Sequence, residues 1–382
     1  MAYSEAEHSR AASLVRGIGV RCVVKHGVIT QVEIEPRRPP PVDRLLIGQP
    51  CEAVLPMLGV VFSVCGHAHR LAASQALAAV LDAPMADDEL RRLVFLRDLE
   101  SVREHSLNLL QSVPTKTNEH ALAREIIASV QALAAGAAQG APDTSREAAV
   151  ATLHAALQVL FGRFWRLTDA SMDAVLDWAQ ASDAPVARLL AACLRPGWAE
   201  FGAHASPALP PLSAAKLDQS WLSSDPGAFA ATPSWDGIPC ETSCYSRQSG
   251  HPLIAEAARR YGPGLLARNL ARMLETVLLA KGLAAPAPLR HPICGVEQVA
   301  GNGFAQVEAS RGRLMHWVGQ EWGRVSAYRI LAPTEWNFHP RGLVYQGLMG
   351  AKAGDPMELE QKIRGFLQTV DPCVPFELNV LA

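Results

Sequence analysis

The chain has 382 residues, of which 49 % are apolar and 19 % are charged, and its formal net charge is −2. This charge disfavours a strong nucleic-acid interface, and an apolar share rich in alanine and leucine predicts a mainly helical globular protein. The sequence has no continuous apolar run of the roughly 18 residues that a membrane-spanning helix needs. Its acidic, polar start and eight scattered cysteines are typical of a cytoplasmic protein whose thiols stay reduced.

The first 60 residues predict a β-hairpin followed by an interrupted helix. Apolar residues alternate over 17–35 on both sides of a turn at His26-Gly27, which is the pattern of a hairpin. Pro39-Pro40-Pro41 is expected to end the second strand, because proline cannot donate a ladder hydrogen bond. A helix over 42–58 is expected to break at Pro50.

Most of the remaining chain shows the periodicity of helices with one buried face. The predicted helices cover 68–81, 87–112, 119–138, 147–167, 171–193 and 251–283, the last interrupted at Gly262-Pro263-Gly264. Between them, 206–239 is rich in proline, serine and glycine and is expected to be irregular. A second β region is predicted over 301–331 with a turn containing Gly319 and Gly323, and a last helix runs from an Asp355 N-cap to Val370.

We interpret residues 1–382 as one domain of mainly α structure with small β regions, an α+β fold class. Its predicted parts are an N-terminal β-hairpin region (1–60), a helical bundle (61–200), an irregular Pro/Ser-rich segment (201–250), helices plus a β region (251–350), and the last helix with its Asp-Pro-Cys tail (351–382).

Two cysteine-containing stretches at opposite ends of the chain carry metal-ligand chemistry. Cys65 is followed by His67 and His69 and precedes the helix predicted over 68–81, whose N-terminus favours a thiolate. Cys373 ends the sequence Asp371-Pro372-Cys373, directly after the last helix. Thiolates bind soft and borderline metals, although an isolated cysteine is more often a small buried hydrophobe. Histidines in such a position are likewise more often structural than ligating.

The order of motifs resembles the large subunit of nickel–iron hydrogenases over most of the chain. In that family an N-terminal Cys-x-x-Cys-x-x-x-His and a C-terminal Asp-Pro-Cys-x-x-Cys-x-x-His supply the cysteines of a nickel–iron centre. The matching stretches here are Leu46-Ile47-Gly48-Gln49-Pro50, Cys65-Gly66-His67-Ala68-His69, Glu241-Thr242-Ser243-Cys244-Tyr245-Ser246-Arg247, Glu308-Ala309-Ser310-Arg311-Gly312-Arg313-Leu314-Met315-His316, the run from Ala332 to Arg341, and Asp371-Pro372-Cys373. The resemblance implies a central helical bundle in which the N- and C-terminal segments meet at a degenerate metal site.

The chain departs from the enzymes at the ligand positions. Phe62 stands where the first N-terminal cysteine would be, Phe376 where the last C-terminal cysteine would be, and Asn379 at the terminal histidine position. Active large subunits hold nickel with four thiolates. The two remaining cysteines therefore imply no stable nickel, no hydrogen turnover and no enzyme activity.

Two thiolates still suffice for one iron in this family, whose iron carries cyanide and carbon monoxide. Cys65 matches a cysteine that bridges to iron, whereas Cys373 matches a position that binds nickel only. We therefore expect Cys65 and Cys373 to bind iron transiently, with Cys373 as the inferred second ligand.

The resemblance also implies which residues surround the metal. His69 would donate a hydrogen bond near the bridging sulfur, and Arg341 would orient a cyanide through charge-assisted hydrogen bonds. Asp371 lies beside the second thiol, and His67 and Glu241 are weaker candidates for the site.

Shortened, ligand-poor relatives of the large subunit include hydrogenase expression/formation proteins of the HupK and HoxV kind, and this chain is similar to them. The resemblance implies a maturation scaffold that holds an iron–cyanide–carbonyl unit and passes it to the hydrogenase large subunit, with hydrogenase assembly chaperones as further partners. One alternative is a metal-free chaperone or large-subunit mimic that binds assembly factors or the immature large subunit. Another is a residual redox enzyme, which the missing thiolates disfavour.

A second metal site is a weaker hypothesis. Cys240 and Cys244 have a spacing that zinc uses, and His251 follows them. A structural zinc site needs a second ligand pair, and none is close in the sequence. Loop cysteines without a metal are the favoured interpretation.

Overall fold

A computed structural model of the chain describes residues 17–37, 42–62, 64–114, 119–139, 143–217, 221, 226–284 and 295–381. The proline run at 39–41, which was expected to end the hairpin, lies outside these ranges.

Helices and two small sheets make up the described chain. The helices are α1 (Val42–Leu46), α2 (Val54–Val61), α3 (Gly66–Val80), α4 (Asp87–Ser112), α5 (Glu119–Gln139), α6 (Asp143–Phe161), α7 (Met172–Ala181), α8 (Pro185–Cys193), α9 (Ala214–Leu217), α10 (Pro226–Ala231), α11 (Cys244–Gln248), α12 (Pro252–Tyr261), α13 (Leu265–Leu283), α14 (Pro333–Asn337), α15 (Leu343–Leu348) and α16 (Pro356–Val370). The strands are β1 (Gly17–Lys25), β2 (Val28–Arg37), β3 (Gly295–Val299), β4 (Asn302–Ala309), β5 (Gly312–Glu321), β6 (Arg324–Leu331) and β7 (Phe376–Leu381). The predicted fold class, mainly α with small β regions, is confirmed.

Most predicted helices are confirmed, and α4 has the predicted bounds. The single helix predicted over 171–193 is wrong, because the chain breaks after α7 and resumes with Pro185 at the start of α8. A proline at that position starts a helix readily but interrupts one that is already running. The segment expected to be irregular contains the short helices α9 and α10.

The first sheet joins the two ends of the chain. Its strand order is β2-β1-β7, with β1 and β2 antiparallel and β1 and β7 parallel, so that Ile18 lies opposite Phe376. Cys373 lies between α16 and β7 and is therefore anchored on both sides. The first strand and the C-terminal tail of the described chain therefore meet in this sheet.

The second sheet is an antiparallel meander in the order β3-β4-β5-β6. Its last turn places Trp322 and Gly323 at positive φ, as tight hairpins require. Gly319, which was expected in that turn, lies inside β5 where the register shifts. Strand β5 is buried along most of its length and carries His316 into the interior.

Helix α13 is the centre of the bundle, and residues on all its faces are buried. It packs against α4, α6, α8, α11, α12 and α16. Its buried polar side chains bind neighbouring segments. Arg268 pairs with Glu241, and Arg272 donates to the carbonyls of Gln368 and Thr369 at the end of α16. Partnered polar groups of this kind fix the positions of the elements they join.

The N-terminus of α3 is held by a carboxylate from another helix. Glu100 of α4 accepts hydrogen bonds from the backbone N–H groups of His67, at 2.7 Å, and Ala68, at 3.1 Å. These are two of the helix's unpaired donors. The side chain of Cys65, the N-cap residue, makes no capping bond. Helix α3 is thus positioned by α4 immediately after Cys65.

A close backbone approach positions the turn between β4 and β5. Gly312 has φ +131°, and a Cβ there would lie 2.2 Å from the backbone oxygen of Thr242. Arg313 N–H donates to the Thr242 hydroxyl at 2.8 Å, and Asn337 exchanges hydrogen bonds with the Thr242 backbone. The turn that contains Arg311 is consequently tied to the segment before α11.

One described helix, α5, is long and apolar enough to cross a membrane by length and composition. It packs against α4 and α6 through a stripe that includes Ile126, Val130 and Leu133. A single helix of this kind is weak support for a membrane span.

Substituting Gly312 by alanine is expected to lower the free energy of unfolding by about 3 kcal/mol or more, because φ strain adds to a backbone clash. Gly301→Ala is the matched control, since Gly301 also has positive φ but a Cβ there meets nothing within 4 Å; it should cost about 1 kcal/mol. Urea unfolding followed by circular dichroism measures both. Equal losses would show that the approach to Thr242 contributes nothing.

Substituting Glu100 by glutamine is expected to flatten the dependence of stability on pH. Burial raises the pKa of Glu100 from 4.5 to about 7, so between these values the folded state keeps a proton that the unfolded state has lost. The contribution of this group is complete below about 4.5 and is lost as pH rises through about 7.

Between these two pH values, wild type should lose on the order of 2–3 kcal/mol more stability than Glu100→Gln. Urea unfolding across this pH range measures the difference. Glu52→Gln, at an exposed position, serves as control and should follow wild type. Parallel curves for wild type and Glu100→Gln would contradict the expectation.

Candidate metal centre

Cys65 is half-buried between α2 and α3, and its carbonyl accepts the first hydrogen bond of α3 from His69 N–H. Burial raises the pKa of its thiol well above 9.0, and Cys373 and Glu100 raise it further, whereas Arg311 lowers it. The expected thiolate-favouring effect of the helix N-terminus is therefore outweighed. Glu100 already occupies the helix N–H groups, and in its ionised form it disfavours a thiolate at Cys65.

Cys373 is held by a hydroxyl from α14. Its Sγ lies 3.1 Å from Thr334 Oγ1, and its backbone N–H donates to the same oxygen at 3.3 Å. Because the hydroxyl accepts from the backbone, its own proton is free to point at the sulfur. Burial raises the pKa of the Cys373 thiol, whereas the Thr334 hydrogen bond and Arg311 lower it.

Arg311 is the cation shared by the two cysteines. Its guanidinium lies 3.1 Å from Glu104 and 3.5 Å from Asp371. Burial opposes its charge, yet Asp371, Glu104, Cys373 and Cys65 together raise its pKa. One positive charge therefore acts on both thiols. Arg311 lies within the motif Glu308–His316, but the sequence did not mark it as a site residue.

Asp371 closes the site on the side of the last helix. It caps α16 with φ 61°, a conformation that aspartate tolerates better than most residues. Its carboxylate lies 3.5 Å from Arg311 and 3.7 Å from Arg272. Among the described residues its buried Oδ2 has no hydrogen-bond partner. Two arginines from different elements thus hold the residue that precedes the Pro372-Cys373 tail.

His69 is buried at the start of α3 and is engaged on a ring edge and a ring face. Its Nδ1 lies 2.9 Å from His316 Nε2, and Phe62 stacks on its ring at 3.6 Å between centroids, with 11° between the planes. Burial and His316 hold the pKa of His69 well below 6.5. Phe62, which replaces a ligating cysteine of the enzymes, therefore packs against the histidine predicted to serve the site.

The other predicted residues lie differently. His67 is half-buried, and burial and Arg103 lower its pKa. Glu241 forms a buried bidentate pair with Arg268, at 2.7 and 3.1 Å, which is a structural role. Arg341 is exposed, and among the described residues its hydrogen bonds are made by its backbone. Arg311 thus pairs with Asp371 and interacts electrostatically with Cys65 and Cys373, whereas among the described residues no hydrogen bond or ion pair joins Arg341 or Glu241 to either cysteine.

The structure does not bring Cys240, Cys244 and His251 together as zinc ligands. Cys240 lies 3.5 Å from the carbonyl of Ile238, and His251 caps α12. Cys244 instead lies 3.7 Å from His105, on α4.

His105, Cys244 and Glu275 form a buried group with ligand-type atoms within 4.8 Å of one another. Arg247, however, donates to both carboxylate oxygens of Glu275 and lies 3.6 Å from Cys244 Sγ. Burial opposes a charge on His105, yet Cys244 and Glu275 raise its pKa to about 9. Arg247 and the protonated His105 supply two positive charges, which disfavour a metal ion here. The group is therefore a buried ion-pair network whose charges are already balanced.

Known proteins resemble this chain in sequence and in fold. Residues 260–375 match the family model of the nickel-dependent hydrogenases. The nickel–iron–selenium hydrogenase of Desulfomicrobium baculatum superposes with a TM-score of 0.62 over 92 % of this chain and 95 % of that chain. The two are 13 % identical, a level at which the likeness shows the fold alone. The predicted resemblance to the nickel–iron hydrogenase large subunit is confirmed.

Two relatives match nearly the whole chain. The hydrogenase expression/formation protein HupK of Bradyrhizobium diazoefficiens is 31 % identical over 356 residues, 92 % of this chain and 93 % of that protein. HupK of Rhizobium leguminosarum is 30 % identical over 378 residues, 95 % of this chain and 96 % of that protein. This chain belongs to the family of hydrogenase expression/formation proteins that includes HupK.

Proposed function

We propose that this protein acts in hydrogenase formation as a scaffold that transiently holds an iron–cyanide–carbonyl unit and passes it to a hydrogenase large subunit. The observation that carries the proposal is that Arg311, which pairs with Glu104 and Asp371, acts electrostatically on both Cys65 and Cys373, although the two thiols come from distant parts of the chain. The relatives' names, hydrogenase expression/formation protein, support the process.

The donor set fits iron and does not fit nickel. The candidate ligands are two thiols, and the positions that would complete a four-thiolate nickel site carry Phe62 and Phe376. Phe62 is stacked on His69 and Phe376 is paired with β1. Both phenylalanines are thus occupied in packing. When bound, the iron unit would be held by Cys65 and Cys373, with Thr334 donating to Cys373 and Arg311 balancing the negative charge.

Reversible holding follows from the protonation of the thiols. Burial raises the pKa of Cys65 and of Cys373, so both are protonated in the metal-free protein at neutral pH. Binding a metal through thiolates must then release two protons, which lowers the net affinity. Two ligands with this proton cost suit a donor that releases its cargo, and binding should weaken as pH falls.

A second candidate is a metal-free chaperone or large-subunit mimic that contacts assembly factors or the immature large subunit. The observation in its favour is an exposed apolar set beside Cys65, in which Val60 is 86 % exposed and Val61 and Val64 are also exposed. Exposed apolar groups of this kind mark protein contacts. In both hypotheses assembly chaperones and the large subunit are the partners.

Cyanide and carbon monoxide stretching bands are expected in the infrared spectrum of protein purified anaerobically from a hydrogenase-producing host. Cys65→Ala should lose these bands and the bound iron, because half of the thiol ligands is gone. Cys51→Ala changes a buried cysteine of a hydrophobic core cluster that is not a proposed ligand, and it should keep both the bands and the bound iron. Bands that persist in both Cys65→Ala and Cys373→Ala would contradict the ligand assignment, and an iron-free wild type that still supports maturation would favour the chaperone.

Substituting Arg311 by methionine is expected to raise the pKa of both thiols further, because it removes their shared positive charge. The fraction of thiolate, and hence the alkylation rate of Cys65 and Cys373 by iodoacetamide at fixed pH, should fall about tenfold for each unit of pKa. Peptide mass spectrometry resolves the two sites.

Arg341→Met tests the arginine that the sequence pointed to and should leave both alkylation rates unchanged. Arg311→Lys, which keeps the charge, should stay within about threefold of wild type and separates the loss of charge from a loss of folding. Equal rates in Arg311→Met and wild type would remove Arg311 from the site.

A further inference from the structure

A chain of three buried side chains leads away from the candidate centre into the second sheet. His69 Nδ1 lies 2.9 Å from His316 Nε2, and His316 Nδ1 lies 2.7 Å from the Tyr328 hydroxyl. His316 on β5 and Tyr328 on β6 are fully buried, and His69 nearly so. None of these three side chains is a proposed metal ligand, and only His69 has been given a role at the candidate centre.

The direction of these hydrogen bonds follows from counting donors and acceptors. Among the described residues His316 Nδ1 is the sole partner of the Tyr328 hydroxyl. If the hydroxyl accepted a proton from His316, its own proton would be buried without an acceptor, which is costly. Tyr328 therefore donates. Burial raises the pKa of Tyr328, so the phenol keeps its proton at neutral pH.

The donor in the hydrogen bond between the rings of His316 and His69 follows from this result. Burial lowers the pKa of His316 to about 3, so the imidazole is neutral and carries one proton. Because Nδ1 accepts from Tyr328, that proton is on Nε2 and is donated to His69 Nδ1. Because His69 Nδ1 accepts this hydrogen bond, that nitrogen carries no proton. The single proton of the His69 ring is left on Nε2.

We propose that Tyr328 and His316 are positioning residues that fix His69 in the Nε2–H tautomer, so that His69 presents a hydrogen-bond donor and not an acceptor. The stacked ring of Phe62 holds the plane in which that N–H points. The tautomer of His69 follows from hydrogen bonds within the metal-free protein and requires no cargo. What the N–H donates to rests on the proposed function, in which an anionic acceptor of the cargo, a thiolate or a cyanide, is the suitable partner.

The tautomer is measured directly on metal-free protein labelled with [¹⁵N]histidine. Long-range ¹H–¹⁵N correlation spectra at pH 7 separate protonated from unprotonated ring nitrogens, and the His69→Gln and His316→Gln variants assign the two residues by loss of their signals. Both rings of the wild type should carry the proton on Nε2. A proton on Nδ1 of His69 would overturn the proposal.

Tyr328→Phe removes the donor and keeps the ring, and it should shift the tautomer ratio of His69 about fivefold or more toward Nδ1–H. Tyr345→Phe, at a half-buried tyrosine of the main core, is the matched control and should leave the ratio unchanged. The double variant Tyr328→Phe/His316→Gln provides the rescue, because the amide N–H replaces Nε2–H as donor and should keep His69 protonated on Nε2 without Tyr328. An unchanged ratio in Tyr328→Phe would overturn the positioning role.

The scaffold function and the His69 tautomer can each be contradicted without the other. If Tyr328→Phe does not fold, as circular dichroism would show, the wild-type and His316→Gln spectra still decide the direction of the chain. Wild-type protein without cyanide and carbonyl bands would sink the scaffold function and leave the tautomer assignment standing. Where the bands are present, Tyr328→Phe should shift the cyanide bands, and Tyr345→Phe should not. Unshifted bands would show that the His69 N–H does not reach the cargo.

Discussion

The candidate centre depends on the way in which Asp371 is held between Arg272 and Arg311. Arg272 belongs to the central helix α13 and also binds the last carbonyls of α16. Arg311 belongs to the turn between β4 and β5. The residue before the Pro372-Cys373 tail is thus tied to the bundle and to the second sheet at once. Pairing of β7 with β1 then fixes the far side of the tail, so that Cys373 has little freedom.

The same charges support the loose metal binding that we propose. Glu104 and Asp371 place negative charge near the thiols, Glu100 adds to it once it ionises near pH 7, and Arg311 is the cation that acts on both thiols. In a buried setting this balance keeps the thiols protonated until a cation arrives. A catalytic centre must retain its metal through many turnovers, whereas a carrier must lose it once. A balance of charge that favours the thiol over the thiolate suits a carrier, which must release its metal.

Much of the fold could be predicted because its signals are local. Periodic leucines and flanking breakers locate α4, and Asp355 with Pro356 locates the start of α16. Strand β7 was missed although Phe376, Leu378 and Val380 alternate with polar residues, because a six-residue strand gives a weak signal when its partner lies at the other end of the chain. The site was predictable only where motifs carried it. Glu100 caps α3 from a different helix, and no local pattern distinguishes the inward guanidinium of Arg311 from the exposed one of Arg341.

Phe62 links the loss of a ligand to the order of the remaining site. A cysteine at this position would donate a thiolate, whereas the phenylalanine covers one face of His69 with its ring. The pair His316 and Tyr328 occupies the ring edge of the same histidine. An imidazole restrained on a face and an edge loses little entropy when it donates a hydrogen bond. Fewer metal ligands therefore do not mean a less ordered pocket. Under the proposed function, the missing thiolate would lower the metal affinity, while His69 would remain an oriented donor to the acceptor groups of the cargo.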